Sequence, residues 1–126
     1  MGTGYLLDTN SIIDFSAKRL SDKAHKYLAR IIDEFPQISI INKIELLGFT
    51  NVPQQIISFT ENAFVIALDN DIATQTIRLR KEHKIKLPDA VIAATALVFN
   101  LTLVTNNTED FKNIIGLDVI NPYSLT

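Results

Sequence analysis

Cysteine is absent from this chain. That excludes disulfides and thiolate metal sites, and it fits a reducing, intracellular setting. A positive charge excess is absent too: 12 Lys and Arg against 14 Asp and Glu leave a formal charge of −2, with a pI near 5.6. No global field therefore draws in nucleic acid, although a local basic strip can do the same work. No apolar stretch approaches the roughly 20 residues of a membrane span. No basic–apolar–small-residue leader opens the chain, so the expectation is a cytoplasmic domain without a membrane partner. Position 6 is Leu rather than Ser or Thr, so the Met1-Gly2 start carries no myristoylation signal. A Gly-rich phosphate loop, an internal repeat, a low-complexity tract and a linker are also missing. The 126 residues read as one domain, 1–126, with enough apolar content for a single core.

What is present is organised around residues 87–99. After Pro88 every residue there except Asp89 and Thr95 is apolar, which predicts a helix buried nearly all round. Pro88 suits a first helical turn, where its missing N–H is no loss. Asn100 can close the helix, and residues 101–105 read as a short buried strand.

The rest of the chain alternates strands with helices. Tyr5-Leu6-Leu7 is a strand stopping at Asp8, and Asn10 or Ser11 can cap the helix after it. Ala24, Tyr27, Leu28, Ile31, Ile32 and Phe35 line one face of an amphipathic helix that Pro36 ends. Residues 38–41 read as a second strand, Asn42 as a cap, and 43–47 as a short helix stopped by Gly48. A helix restarts at Val52-Pro53, residues 64–68 form a third strand, and Asp69 caps a helix running to about His83. Thr108 opens a brief turn with Phe111, and residues 117–120 are a last strand. This alternation predicts an α/β fold, a three-layer α/β/α sandwich on a mainly parallel sheet of about five strands.

In such a sheet the acids fall on one edge. Asp8 follows the first strand, Glu45 lies one helical turn past the second, Asp89 opens the central helix, and Asn106, Asn107 and Asp110 follow the fourth strand. Open α/β sheets bind their ligands at that carboxyl edge. Each residue also has a plain structural explanation. Asp8-Thr9-Asn10 suits a strand-to-helix turn, Glu45 sits at capping distance from Asn42, and Asp89 and Asp110 suit helix starts. Four like charges gathered in a partly apolar cleft repel one another and lose solvation, which a divalent cation would offset. Hard oxygen donors without His or Cys favour Mg²⁺ or Mn²⁺ over zinc. On this reading Asp8→Asn should relieve repulsion and raise the metal-free melting temperature.

These segments carry a family resemblance. Leu6-Leu7-Asp8-Thr9-Asn10, Ile44-Glu45-Leu46-Leu47, residues 87–96 around Pro88-Asp89, and Leu103-Val104-Thr105-Asn106-Asn107 with Asp110-Phe111 resemble the successive motifs of the PIN-domain family. The likeness is greatest to the VapC-type toxins of toxin–antitoxin pairs. The resemblance implies a metal-dependent endoribonuclease, often a homodimer, held inactive by an antitoxin whose segment enters the active-site groove. By position Asp8, Glu45 and Asp89 match the family's core acids. For the fourth acid we take Asp110, with Asn107 as a neutral ligand or substrate contact; the implied metal ligands are Asp8, Asp89 and Asp110. Thr9, Asn10 and Thr105 would contact phosphate or orient the carboxylates.

Substrate approach also needs positive charge, and Arg78, Arg80, Lys81, His83, Lys84 and Lys86 precede Pro88-Asp89. Lys84 and Lys86 are the better RNA contacts among them, being nearest the central helix. A receiver domain would want paired acids after the first strand, where Thr9 follows Asp8. A haloacid-dehalogenase-like phosphatase would want an acid where Asn10 stands. The remaining rival is a catalytically inactive PIN-like module that binds RNA or protein.

Overall fold

The computed structural model describes residues 4–125; residues 1–3 and 126, and with them the Met1-Gly2 start, lie outside it. The elements run β1 (Gly4–Leu7), α1 (Thr9–Ser16), α2 (Asp22–Glu34), β2 (Gln37–Ser39), α3 (Ile40–Leu47), α4 (Gln54–Asn62), β3 (Phe64–Ile66), α5 (Asn70–Glu82), α6 (Leu87–Phe99), β4 (Leu101–Val104) and β5 (Val119–Ile120). A 3₁₀ turn, Pro122–Ser124, follows. Among the described residues no helix is long and apolar enough to cross a membrane.

Every strand pairing is parallel, with Leu6 opposite Leu103 in β1 and β4, Ile38 opposite Val65 in β2 and β3, and Val104 opposite Ile120 in β4 and β5. The sheet is smaller than the single one of about five strands that the sequence suggests. Its hydrogen-bond ladders divide into β1-β4-β5 and β2-β3. The division falls at the seam between β1 and β2. There the Gln37 side chain, not a backbone ladder, donates from Nε2 to the Tyr5 carbonyl at 3.4 Å.

Alternate residues of each strand face opposite layers, as the pleat requires. Leu6, Leu101 and Leu103 pack with Ile72 and Leu79 of α5 and with Ala90, Ile92, Ala93 and Ala94 of α6. Leu7 and Val104 face the other way, onto Ile12, Leu28, Ile31, Leu46 and Ile56 of α1 to α4. Two cores on two faces make the three-layer α/β/α arrangement. Each fully buried Leu or Ile contributes roughly 1.5–3 kcal/mol to it. The middle of α6, from Ala90 through Ala96, is buried on every side. Thr95 is tolerated there because its hydroxyl donates to the Val91 carbonyl at 2.7 Å. Pro88 lies in the first turn, and Asn100 closes the helix in the left-handed region at φ 54°.

Several boundaries move, two of them decided by a cap, and the last strand shortens from the expected 117–120 to Val119–Ile120. Asp8 itself, rather than Asn10 or Ser11, caps α1. Ser39 caps α3, so Ile40 and Ile41 are helical instead of extended. The hydroxyl of Ser39 accepts from Ile41 N at 3.0 Å, and Asn42 Oδ1 accepts from Ser39 N at 2.9 Å. That reciprocal pair satisfies two backbone donors at once, which an extended continuation would leave open. Finally β3 ends at Ile66, leaving Leu68 exposed before Asp69 caps α5.

Candidate active site

Asp8 stands where β1 gives way to α1, and its carboxylate is only 5% exposed. A buried charge needs donors, and four are supplied. Oδ1 accepts from Thr9 N at 2.9 Å and Asn42 Nδ2 at 3.1 Å; Oδ2 accepts from Thr105 Oγ1 at 2.8 Å and Asn10 Nδ2 at 3.3 Å. The donors come from α1, α3 and the end of β4, so one side chain ties three elements together. This revises the expected effect of Asp8→Asn. An amide would turn an N–H₂ toward these donors, so relief of repulsion is outweighed by lost hydrogen bonds.

Glu45 projects from α3, and its Oε1 accepts the Thr9 hydroxyl at 2.6 Å. Because Ser39 is the cap and Asn42 fills the third helical position, Glu45 lies a full turn beyond any capping role. Asn42 is the residue that sequence reasoning missed here. It is fully buried, and its Nδ2 donates both to Asp8 and to Thr9 Oγ1, the latter at 3.1 Å. Its Oδ1 meanwhile closes the cap on Ser39. The available signal was the Ser39-x-x-Asn42 spacing directly after a strand; a capping box pairs those positions, and the amide has a second end to spare.

Asp89 occupies the first turn of α6. Its pKa is raised from 3.8 to about 6, first by burial, then by the charges of Asp8, Asp110 and Glu45, and last by contact with the Asp110 carboxyl. Those causes place all four acids within one electrostatic neighbourhood. Asp110 is exposed, on the turn after β4, and its Oδ2 accepts from Asn107 Nδ2 at 2.9 Å. Asn107 N in turn donates to Thr105 Oγ1 at 3.0 Å.

Asp8, Thr9, Asn10, Glu45, Asp89 and Asn107 line one open cleft of about 560 Å³, walled on its apolar side by Ile13, Ile44 and Phe49. Thr105 is fully buried behind Asp8, and Asp110 stands at the edge beside Asp89 without lining the cleft. Lys84 lies elsewhere, in a hollow shared with Arg80, Lys81 and His83. Lys86 is the exposed cap residue of α6 and lines neither depression. Lys84 thus lines a different depression from the acids, while Lys86, at the cap of α6, stands one turn before Asp89.

The acids lack a protein counterion. Among the described residues the ion pairs are Arg19–Asp14, Arg78–Glu82 and Lys112–Glu109, none of which touches the cleft. The donor set is entirely oxygen, carboxylates plus the Asn107 amide, which suits a hard divalent cation and not zinc. Among the described residues no three acids already stand as a closed ligand cluster. Mg²⁺ requires no such closure, since it keeps several waters and takes one or two carboxylates. The residues present thus fit a hydrated ion.

The sequence pattern of the PIN domain matches residues 5–117. No curated protein sequence matches the chain. Among solved structures, a toxin–antitoxin complex from Klebsiella pneumoniae contains a chain 34% identical, covering 95% of this chain and 98% of its own, with a TM-score of 0.77. VapBC2 from Rickettsia felis, bound to a DNA fragment from its promoter, is 27% identical over 93% of this chain and 97% of its own, with a TM-score of 0.74. VapBC-1 from nontypeable Haemophilus influenzae is 26% identical over 94% and 97%, with a TM-score of 0.72. With β1, α3, α6 and the end of β4 all delivering acids or amides to one edge, and the family pattern spanning nearly every element, this chain belongs to the PIN domain family.

Proposed function

We propose that the protein is a divalent-metal-dependent endoribonuclease, the toxin of a toxin–antitoxin pair. The observation that carries this reading is the cleft that Asp8, Glu45, Asp89 and Asn107 line together, with no Lys or Arg among its lining residues; burial and the charges of Asp8, Asp110 and Glu45 there push the Asp89 carboxyl up to about 6. An acid held in that condition, with no Lys or Arg beside it, is poised to gain from an added cation. Membership of the PIN domain family supports nuclease chemistry, and the likeness to chains from toxin–antitoxin complexes supports the toxin role.

Asp8, Asp89 and Asp110 would hold Mg²⁺ or Mn²⁺, with Asn107 as a neutral oxygen donor. When bound, the ion would supply an activated water and neutralise charge developing on the phosphodiester oxygens. The chain's own residues do the positioning. Asp8 cannot swing away, because Thr9, Asn10, Asn42 and Thr105 grip both of its oxygens. Thr9 also steers Glu45 toward the cleft through its hydroxyl. Thr9, Asn10 and Thr105 thereby spend their donors on orienting acids rather than on phosphate. Asp89 must lose its proton before it can ligate, so metal affinity should rise as pH passes upward through about 6.

An antitoxin partner and a homodimer belong to the same reading. The exposed Ile44 of α3 and Phe49 of its following turn adjoin the acids and offer an apolar rim for a protein segment. The alternative is an inactive PIN-like module that binds RNA or protein.

One experiment separates the two. Purified protein is incubated with structured and single-stranded RNA, with Mg²⁺ or Mn²⁺ and with chelator. The wild type should cleave only with metal, and Asp89→Asn should abolish cleavage while keeping the native circular dichroism. Equal cleavage by the variant would overturn the assignment. Binding of RNA without cleavage under every metal condition would leave the inactive module as the function.

A further inference from the structure

The mechanism leaves one buried acid unused. Asp14, on the same face of α1 as Asn10 and one turn further on, is 7% exposed and does not line the cleft. Its Oδ2 accepts from the hydroxyl of Tyr123, and also from Asn106 Nδ2 at 3.5 Å. Oδ1 meets Arg19 Nη1 at 3.4 Å, but that guanidinium is largely in solvent and adds little. Tyr123 sits in the 3₁₀ turn at the end of the chain, fixed by its own N–H to Asn121 Oδ1 at 3.0 Å.

Asn106 makes this contact matter. Its backbone N donates to Asn10 Oδ1 at 3.0 Å while its side chain reaches Asp14. Asn10 in turn donates to Asp8 Oδ2 and, at 3.1 Å, to Thr105 Oγ1. The loop after β4 is thus pinned to α1 at two points one turn apart, immediately before Asn107 and Asp110. Such pinning has a physical purpose. Asp110 is held next to Asp89, and two carboxylates at close range push the exposed loop outward. Tyr123 is held above its ordinary pKa chiefly by the Asp14 contact, which agrees with the hydroxyl acting as the donor.

We propose that Asp14 and Tyr123 are a positioning pair that clamps Asn106 and so keeps Asn107 and Asp110 beside Asp89. This rests on the metal-site reading given above. The final 3₁₀ turn thereby adds a second hold on the geometry of the fourth acid, beside the contacts that Asn10 and Thr105 make to the loop backbone. Ser21 supplies the natural control. Its hydroxyl also ties the last turn down, accepting from Ala24 N as the α2 cap and donating to the Leu125 carbonyl at 2.6 Å, but it touches nothing in the loop.

The test compares the wild type, Tyr123→Phe and Ser21→Ala as full chains. Amide hydrogen exchange at Asn106 and Asn107 is followed without metal, and Mn²⁺ affinity is then titrated at a temperature well below every melting point. Tyr123→Phe should speed exchange at both amides and weaken Mn²⁺ binding by roughly tenfold, the lower end of losses seen when a residue supporting a metal ligand is removed. Ser21→Ala should lower the melting temperature yet leave both readouts as in the wild type. Unchanged exchange in Tyr123→Phe, or faster exchange with unchanged Mn²⁺ affinity, would overturn the positioning role. A Ser21→Ala variant that matches Tyr123→Phe in both readouts would reduce the contact to ordinary stability and overturn it too. Failure of the wild type to bind Mn²⁺ would instead overturn the metal-site reading, and the positioning role with it.

Discussion

At the scale of single residues, Asp8 and Asp89 carry the same charge in opposite circumstances. Asp8 is met by four donors, so its carboxylate is the form the fold is built to hold. Replacing it by Asn inverts one end of the group and leaves buried donors facing a donor. Asp8→Asn should therefore destabilise the metal-free protein by about 1–3 kcal/mol, read by urea unfolding. A neutral or stabilising effect would mean the grip on Asp8 is looser than its geometry implies. Asp89 is the reverse case, raised from 3.8 to about 6 by burial and neighbouring carboxylates. Between those values the folded chain keeps a proton that the unfolded chain has lost. Stability then falls as pH climbs through the window, and the full penalty is present above pH 6. Without metal, Asp89→Asn should raise the melting temperature at pH 7 and 8, and the advantage should vanish below about pH 4. A gain independent of pH would detach it from the Asp89 charge.

At the scale of elements, α6 and α3 show what a sequence discloses. The ends of α6 were legible because covalent chemistry marks them. Pro88 suits only a first turn, and Asn100 is one of the few side chains at ease in the left-handed region. Asn100→Ala should accordingly cost about 1–2 kcal/mol in urea unfolding while Asn100→Gly costs little, since φ is 54° there. Equal losses for Ala and Gly would assign the stability of that corner to the Asn side chain's own contacts. The start of α3 was not legible in the same way. Ile38-Ser39-Ile40-Ile41 is β-branched throughout except for Ser39, which favours a strand. The chain turns helical at Ile40 because Ser39 and Asn42 cap each other, and because Asn42's other end is needed at Asp8. That second demand is tertiary, so no local pattern carries it. Asp8, Glu45 and Asp89 were nonetheless readable, because parallel topology alone sends strand ends and helix starts to one edge. The placement of Lys84 was not, since the path of the loop between α5 and α6 depends on packing: buried Ile85 pins it, and Arg80 Nη1 donates to the Ile85 carbonyl at 2.8 Å.

At the scale of the whole molecule, two cores on opposite faces of a small parallel sheet hold a cleft whose charge the chain does not itself balance. Basic groups gather in a separate hollow around Arg80, Lys81, His83 and Lys84. If RNA bound at the acids also runs past the cap of α6 and across that hollow, Lys84→Ala with Lys86→Ala should weaken RNA binding and lower the slope of log affinity against log salt by about 1–2. Mn²⁺ affinity should stay as it was. An unchanged slope would return both lysines to ordinary solvated surface. The central claim, that Asp8, Asp89 and Asp110 hold one divalent cation with Glu45 beside them, is tested most directly by thermal melts at pH 7.5. Wild type and Asp89→Asn are each melted with chelator and with Mn²⁺. Ligand binding to the native state alone stabilises it by about 2.7 kcal/mol at a hundredfold excess over the dissociation constant. The account predicts that Asp89→Asn melts higher than the wild type in chelator, and that Mn²⁺ raises the wild type well above its own chelator value while moving the variant little. Equal Mn²⁺ shifts in both proteins, or none in either, would contradict it.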